Sequence, residues 1–207
     1  MDLTAKLEQA IKIYEVGWKP VDDELYDLCR RRASHRDYSD VYTKVTMIGR
    51  IYEAGISRAF RGSGNAEVVV ARELVAQSGL LEEQLVALTG RQFDRQIALE
   101  IVELHGRITG SLATSTGNVW LTSFVSKYLH FHCPVVPIYD SNAAGSIGRL
   151  VGRGPAASIR DSMVNLKEWA TAYRNFVAAF VVLYERAWAE TSLKPSVKEV
   201  DYLLWQT

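Results

Sequence analysis

Lys127 and Asp140 are the residues of this 207-residue chain whose types and spacing best suit covalent chemistry. Lys127 lies in the aromatic segment Trp120–His132, and Asp140 follows a turn that Pro134 and Pro137 constrain. A carboxylate in a desolvated pocket stabilises developing positive charge, and a buried lysine loses its proton more readily and can act as a nucleophile. An aspartate at the start of a helix is also a common N-cap, so the residues alone leave both roles open.

The segment Trp120–His132 is predicted to form a helix with one polar face. At about 100° per residue, Ser123, Lys127 and His130 fall within about 60° of one another, with Ser126 beside them. An ordinary surface helix carries the same kind of stripe, turned towards water. Four residues near this carboxylate in sequence suit either a pocket wall or the core: Trp120, Tyr128, His130 and Tyr139.

Helical periodicity dominates the rest of the chain, and no stretch shows sustained alternation with period two, so the predicted fold class is all-α. One helix is expected over Gln92–His105, ending at the following glycine, and residues 106–118 are expected to form a loop or a short helix pair. Arg160–Ala189 is predicted as one long helix, and Ser196 with Glu199 as a capping box. Residues 1–207 are expected to form a single unit or two helical lobes that divide near 106–118. Three tryptophans in apolar contexts are predicted to lie in the core: Trp169, Trp188 and Trp205.

The composition excludes several classes of protein. Lysines plus arginines equal aspartates plus glutamates, at 24 each, so no global charge indicates nucleic acid or an acidic ligand. Two distant cysteines suit free cytosolic thiols, and the longest apolar run, Phe176–Tyr184, is too short to span a bilayer. We therefore expect a cytoplasmic protein, monomeric and without a membrane partner.

No metal or cofactor is expected. The His130-Phe131-His132-Cys133 sequence would place its two imidazoles about 160° apart on a helix, and no second group of ligands at zinc spacing exists. The glycines of residues 61–65 lack the lysine and flanking strand of a phosphate-binding loop.

The segment SKYLHFHCPVVPIYDS, which ends at Ser141, resembles the core of the helix–hairpin–helix–GPD superfamily of DNA glycosylases. Within that superfamily it is most similar to the small bacterial group that resembles 8-oxoguanine DNA glycosylases. The resemblance covers roughly Thr116–Leu150 and implies a two-lobed helical architecture. It also implies a reaction, the hydrolysis of the N-glycosidic bond of a modified base flipped out of duplex DNA. The base would be 8-oxoguanine or a hypermodified base of phage DNA, so the role would be DNA repair or antiviral defence.

The resemblance also implies roles for individual residues. Asp140 would position the nucleophile and offset positive charge on the sugar. The family's nucleophilic lysine aligns with Ser123, and Lys127 follows one turn later, so Lys127 is expected to be either the nucleophile or a substrate contact. The hairpin glycines of the family are not reproduced around Gly117. Expected substrate contacts are Trp120, Ser123, Tyr128, His130, Tyr139 and Asn142, and expected contacts to the DNA backbone are Asn118, Arg149 and Arg153.

A second hypothesis comes from a different class of protein. A helical DNA- or nucleotide-binding module could retain this fold without catalysis, with Asp140 acting only as a helix cap. The neutral net charge and the altered hairpin favour that alternative. The two hypotheses differ in whether Asp140 and Lys127 converge on a concave pocket.

Overall fold

The structure is a computed structural model that describes residues 2–56, 65–152, 154–163 and 171–207. Every regular element in these ranges is an α-helix, which confirms the predicted all-α class, and no strand occurs in them. The helices are Leu3–Val16 (α1), Lys19–Arg31 (α2), Tyr38–Ile51 (α3), Ala66–Ala76 (α4), Ser78–Leu88 (α5), Arg95–Ser115 (α6), Thr122–His132 (α7), Ser141–Val151 (α8), Ala157–Ser162 (α9), Thr171–Glu190 (α10) and Val197–Trp205 (α11).

Helix α7 lies at the centre of the molecule. It packs against α2, α3 and α6, and its residues 124–131 are all buried. Helix α8, which Asp140 begins, packs against α10 and α11, and α1 packs against α11. The buried apolar side chains of these helices form one continuous cluster, so α7 and α8 are held by neighbours from both ends of the sequence.

Two predicted helix boundaries are wrong. Helix α6 does not end at Gly106 but runs on to Ser115, because both its faces pack against neighbouring helices and outweigh the roughly 1 kcal/mol cost of an internal glycine. Residues 106–115 are therefore helix rather than loop. The single helix predicted over Arg160–Ala189 is also interrupted, since α9 ends at Ser162 with Met163 as its C-cap. Trp169 and the predicted loop at 61–64 lie outside the described residues.

A tight turn joins α6 to α7. Gly117 and Asn118 both adopt positive φ, at 69° and 68°, and the Asn118 backbone N–H donates to the carbonyl of Ala113 at 2.8 Å. This left-handed pair reverses the chain within a few residues. The turn places the start of α7 directly beside the end of α6.

One predicted feature of a helix end is confirmed. Ser196 and Glu199 form a reciprocal capping box at the start of α11. Within the described ranges, none of the helices combines the length and the apolar character needed to cross a membrane.

Candidate active site

Three buried side chains hold the turn between α7 and α8. The Tyr173 hydroxyl donates to the carbonyl of Pro137 at 2.8 Å, and Nδ1 of His130 lies 2.7 Å from the carbonyl oxygen of Val136. The backbone N–H of Tyr139 donates to Oγ of Ser126 at 2.9 Å. Each bond satisfies a buried backbone group, and together they fix the direction in which the chain enters α8.

Asp140 is both a helix cap and a buried carboxylate. Its Oδ1 accepts the backbone N–H of Ala143 at 2.8 Å, which is the capping role left open by the sequence. Its Oδ2 is buried without a hydrogen-bond partner among the described residues, and the side chain is only 8% exposed. One oxygen therefore holds the helix, and the second keeps its capacity to interact with another group.

Lys127 is buried on α7, one turn after Ser123. Its Nζ donates to Oγ of Ser123 at 3.0 Å and to the carbonyl oxygen of Tyr52 at 3.3 Å. Burial lowers the pKa of this ammonium, and the carboxylates of Asp140 and Asp201 act in the opposite direction. Lys127 and Asp140 are thus both buried and close enough to interact electrostatically, and we refer to them together as the buried cluster.

A cavity of about 290 Å³ lies next to this cluster. Tyr52 belongs to both, because its carbonyl accepts from Lys127 while its side chain lines the cavity. Neither Lys127 nor Asp140 is among the residues that line it. We call it the aromatic cavity, after the rings that dominate its lining: Trp18, Tyr52, Tyr202 and Trp205, with Glu53, Lys198 and Asp201 as the charged members.

Lys198 is the centre of a network of polar and charged side chains beside the aromatic cavity. Its Nζ donates to Oη of Tyr52 at 2.9 Å and lies 3.2 Å from Oδ2 of Asp22 and 3.4 Å from Oδ2 of Asp201. The hydroxyl of Tyr52 in turn donates to Asp22. Two carboxylates thus surround one ammonium, in a region where unpaired charge is strongly disfavoured.

The substrate contacts predicted from the sequence do not line the aromatic cavity. Tyr128 is in the core, with its ring against Phe124, and His130 is fully buried with both ring nitrogens engaged. Both residues therefore support the surrounding structure and do not face the cavity.

The remaining predicted contacts are distributed over several surfaces. Trp120 is 49% exposed in the turn before α7, and Asn142 is exposed on the first turn of α8. Tyr139 packs edge-on against Phe176. Ser123 is the one predicted contact that meets Lys127 directly.

The predicted DNA-backbone contacts also lie at different places. Asn118 is exposed in the α6–α7 turn. Arg149 is exposed near the end of α8, with Nη2 3.0 Å from Oγ of Ser146. Arg153 lies outside the described residues.

The sequence reasoning missed the residues that build the aromatic cavity. Trp205 was predicted to be core but is 40% exposed, because it closes the last turn of α11 at the rim of the cavity. A signal for this face is present in the sequence: Lys198, Asp201 and Trp205 recur at helical spacing, so that two opposite charges and a tryptophan share one side of the helix.

The part of the chain that the structure describes contains no candidate metal site. No set of three or more His, Cys, Asp or Glu side chains there is placed to hold a metal ion. The two imidazoles of the His-Phe-His sequence are directed to separate backbone carbonyls, those of Val136 and Tyr128. Cys29 and Cys133 are both free and buried.

Comparison with protein-family models, with curated proteins and with solved structures gives no match to this chain.

Proposed function

We propose that the protein is a DNA glycosylase that hydrolyses the N-glycosidic bond of a modified base flipped out of duplex DNA. The observation that carries this proposal is the buried cluster of Lys127 and Asp140 next to the aromatic cavity. Flat aromatic side chains grip an extruded base by stacking, and a nearby carboxylate offsets the positive charge that develops on its sugar. The resemblance of the turn and of α7 to the helix–hairpin–helix–GPD superfamily supports the same reaction.

The residues divide into two roles. The free Oδ2 of Asp140 stabilises the oxocarbenium-like sugar, and Lys127, whose pKa burial lowers, supplies either the attacking amine or a contact that orients a water molecule. The aromatic cavity receives the base between Trp18, Tyr52 and Trp205. At about 290 Å³ it is close to the lower end of the roughly 300–1,000 Å³ typical of ligand pockets, as suits one flat base.

The enzyme would act as a cytoplasmic monomer on duplex DNA, in base-excision repair or in defence against phage. The candidate bases are 8-oxoguanine and hypermodified bases such as 5-hydroxymethylcytosine and 5-hydroxymethyluracil. The proposed reaction assigns its steps at the sugar to Asp140, Lys127 and water, without a cofactor.

The decisive experiment compares two aspartates that cap helices in the same way. Asp94 begins α6 with an oxygen 2.8 Å from the N–H of Ile97, as Asp140 begins α8, but Asp94 is exposed. Duplexes that carry each candidate base are incubated with wild type, Asp140→Asn and Asp94→Asn, and abasic sites are measured by alkaline strand cleavage. We expect wild type and Asp94→Asn to release a base, and Asp140→Asn to be slower by about 10²–10³-fold. Equal rates of base release in all three proteins would show that Asp140 takes no part in the reaction.

One observation favours the second hypothesis, a binding module without catalysis. Asp140 already satisfies the N–H of Ala143, and it does not line the aromatic cavity. In that case wild type would bind modified DNA, quench the fluorescence of Trp18 and Trp205, and release no base from any duplex. Asp140→Asn and Asp94→Asn would then both remain close to wild type, because asparagine caps a helix about as well as aspartate.

A further inference from the structure

Asp201 is a buried carboxyl group to which the proposed reaction has so far given no role. It lies on α11, is 1% exposed, and lines the aromatic cavity. Its Oδ2 is 3.4 Å from Nζ of Lys198, and its Oδ1 has no hydrogen-bond partner among the described residues. A buried carboxyl oxygen without a partner is costly to a fold, and one placed at a cavity has a natural partner in a ligand.

The surroundings of Asp201 favour its protonated form. Burial raises its pKa to about 7, the ammonium of Lys198 opposes that change, and the carboxylate of Asp140 adds to it. Ionisable groups lie around this carboxyl network on the elements packed against it: Tyr14 on α1, Asp22 and Tyr26 on α2, Tyr52 and Glu53 after α3, Lys127 on α7, Asp140 at the start of α8, Tyr173 on α10 and Lys198 on its own helix.

A pair of carboxyl groups in different surroundings is the usual arrangement for breaking a glycosidic bond. One stays ionised and stabilises the sugar, and the other holds a proton for the leaving group. Asp140 and Asp201 could form such a pair, because the carboxyl group of Asp140 acts electrostatically on Asp201, and of the two only Asp201 lines the cavity proposed for the base. Lys127 and Asp140 both act on the sugar, which leaves the departing base without a proton donor.

We propose that Asp201 is a catalytic general acid that protonates the base as it leaves. This inference rests on the proposed glycosylase function. The C1′–N bond breaks, its electron pair goes to the base, and the proton of Asp201 is transferred to a nitrogen or oxygen of that base. Water or the amine of Lys127 then forms the new bond to C1′ and releases a proton, which restores Asp201 at the end of the cycle. With water as the nucleophile, the products are the neutral base and an abasic sugar. With Lys127 as the nucleophile, the sugar stays bound to Nζ as a Schiff base until a water molecule hydrolyses that bond and releases the abasic sugar.

The proposal predicts a pH profile. A general acid works only while it is protonated, so single-turnover excision by wild type should be steady below about pH 7 and fall about tenfold per pH unit above it. Asp201→Asn should excise the same base about 10²–10⁴-fold more slowly below pH 7 and should lack this alkaline fall. Asp201→Glu, which keeps an acid, should restore the fall.

The test uses the full chain and duplexes that carry 8-oxoguanine, 5-hydroxymethylcytosine or 5-hydroxymethyluracil, with rates measured from pH 5 to 9. The matched control is Asp23→Asn, which removes an exposed carboxylate paired with Lys19 and should reproduce the wild-type profile.

If Asp201 is merely structural, Asp201→Asn will lower the excision rate equally at every pH, and that outcome overturns the inference while the glycosylase function stands. If Asp201→Asn does not fold, the wild-type profile decides, since an excision rate that does not fall between pH 7 and 9 overturns the inference. A wild type that releases no base from any duplex overturns the proposed function and the inference together.

Discussion

The hydroxyl of Tyr26 on α2 lies 2.5 Å from Nε2 of His130 on α7. The other nitrogen of that ring, Nδ1, faces the carbonyl oxygen of Val136, which only accepts hydrogen bonds. Nδ1 therefore carries the proton, and Nε2 accepts from Tyr26. This chain of bonds connects α2 to the turn that ends at Asp140, so the position of the candidate catalytic carboxylate depends on a residue more than a hundred positions earlier in the sequence.

Tyr26→Phe tests this connection. Without the hydroxyl, Nε2 of His130 is buried and unsatisfied, and we expect the free energy of unfolding to fall by about 1–3 kcal/mol. Urea denaturation with an unchanged m-value measures the change. Tyr38→Phe, at a residue that is 40% exposed, is the control and should alter stability by less than about 0.5 kcal/mol. Equal stability of the two variants would mean that the bond to His130 contributes nothing.

Two buried lysines compete for the role of nucleophile, and borohydride trapping on abasic DNA distinguishes them. Nζ of Lys198 is engaged at 3.2 Å by Asp22 and at 3.4 Å by Asp201, whereas burial lowers the pKa of Lys127. We expect a trapped adduct in wild type and in Lys198→Arg but none in Lys127→Arg, because arginine keeps the charge and cannot form a Schiff base. An adduct that survives in Lys127→Arg and disappears in Lys198→Arg would reverse the assignment. Excision without an adduct in wild type would indicate water as the nucleophile.

Stability should fall in acid because several histidines are buried in their neutral form. Burial lowers the pKa of His35 to about 3, of His130 to about 3 and of His105 to about 4. A histidine whose pKa is lower in the folded state contributes stability that is complete above its unfolded pKa, about 6.5, and is lost as the pH falls towards its folded pKa. Each such group should cost about 1.4 kcal/mol per pH unit below about pH 6.

His35→Phe isolates one of these groups. Both ring nitrogens of His35 lack partners among the described residues, and its ring packs against Tyr128 and His132, so phenylalanine keeps the packing and removes the titration. We expect the unfolding free energy of this variant to decline less steeply between pH 6 and pH 4, by the equivalent of one proton. A slope identical to that of wild type would show that His35 does not resist protonation.

The capping box of α11 should be coupled to the aromatic cavity. Ser196→Ala removes the cap of α11 and should destabilise the protein by about 1 kcal/mol. In a thermal unfolding experiment, the fluorescence of Trp205 should therefore change at a lower temperature than in wild type. Ser78→Ala is the matched control, since the start of α5 has no side-chain cap bond, and it should leave both readings near wild type. If Ser196→Ala leaves the unfolding transition of Trp205 unchanged, the capping box is not coupled to the aromatic cavity.

The parts of the structure that sequence alone could predict are those set by local chemistry. Helical periodicity gives the all-α class, and the spacing of Ser196 and Glu199 gives the capping box. The constrained turn gives Asp140 its place at the start of α8. Each of these features depends on residues within about four positions of one another, where intrinsic preference and capping rules apply.

The aromatic cavity could not be predicted in this way. Trp18, Tyr52 and Trp205 are far apart in sequence, and they meet because α1 packs against both α2 and α11 while α2 packs against α3. The continuation of α6 through Gly106 has the same origin, since packing on both faces outweighs an unfavourable residue. Tertiary contacts therefore decided the features that local patterns left open.

The aromatic cavity joins Trp18 and Asp22 near one end of the sequence to Lys198 and Trp205 near the other. During synthesis on the ribosome, the walls contributed by α2 and α3 appear long before the charged side chains of α11 are made. The nascent chain can bury α7 and its neighbours early, but it holds no complete cavity and no Asp22–Lys198–Asp201 network until α11 docks against α1. Whatever this site binds or cleaves, the protein acquires that capacity only after α11 has been made and has docked.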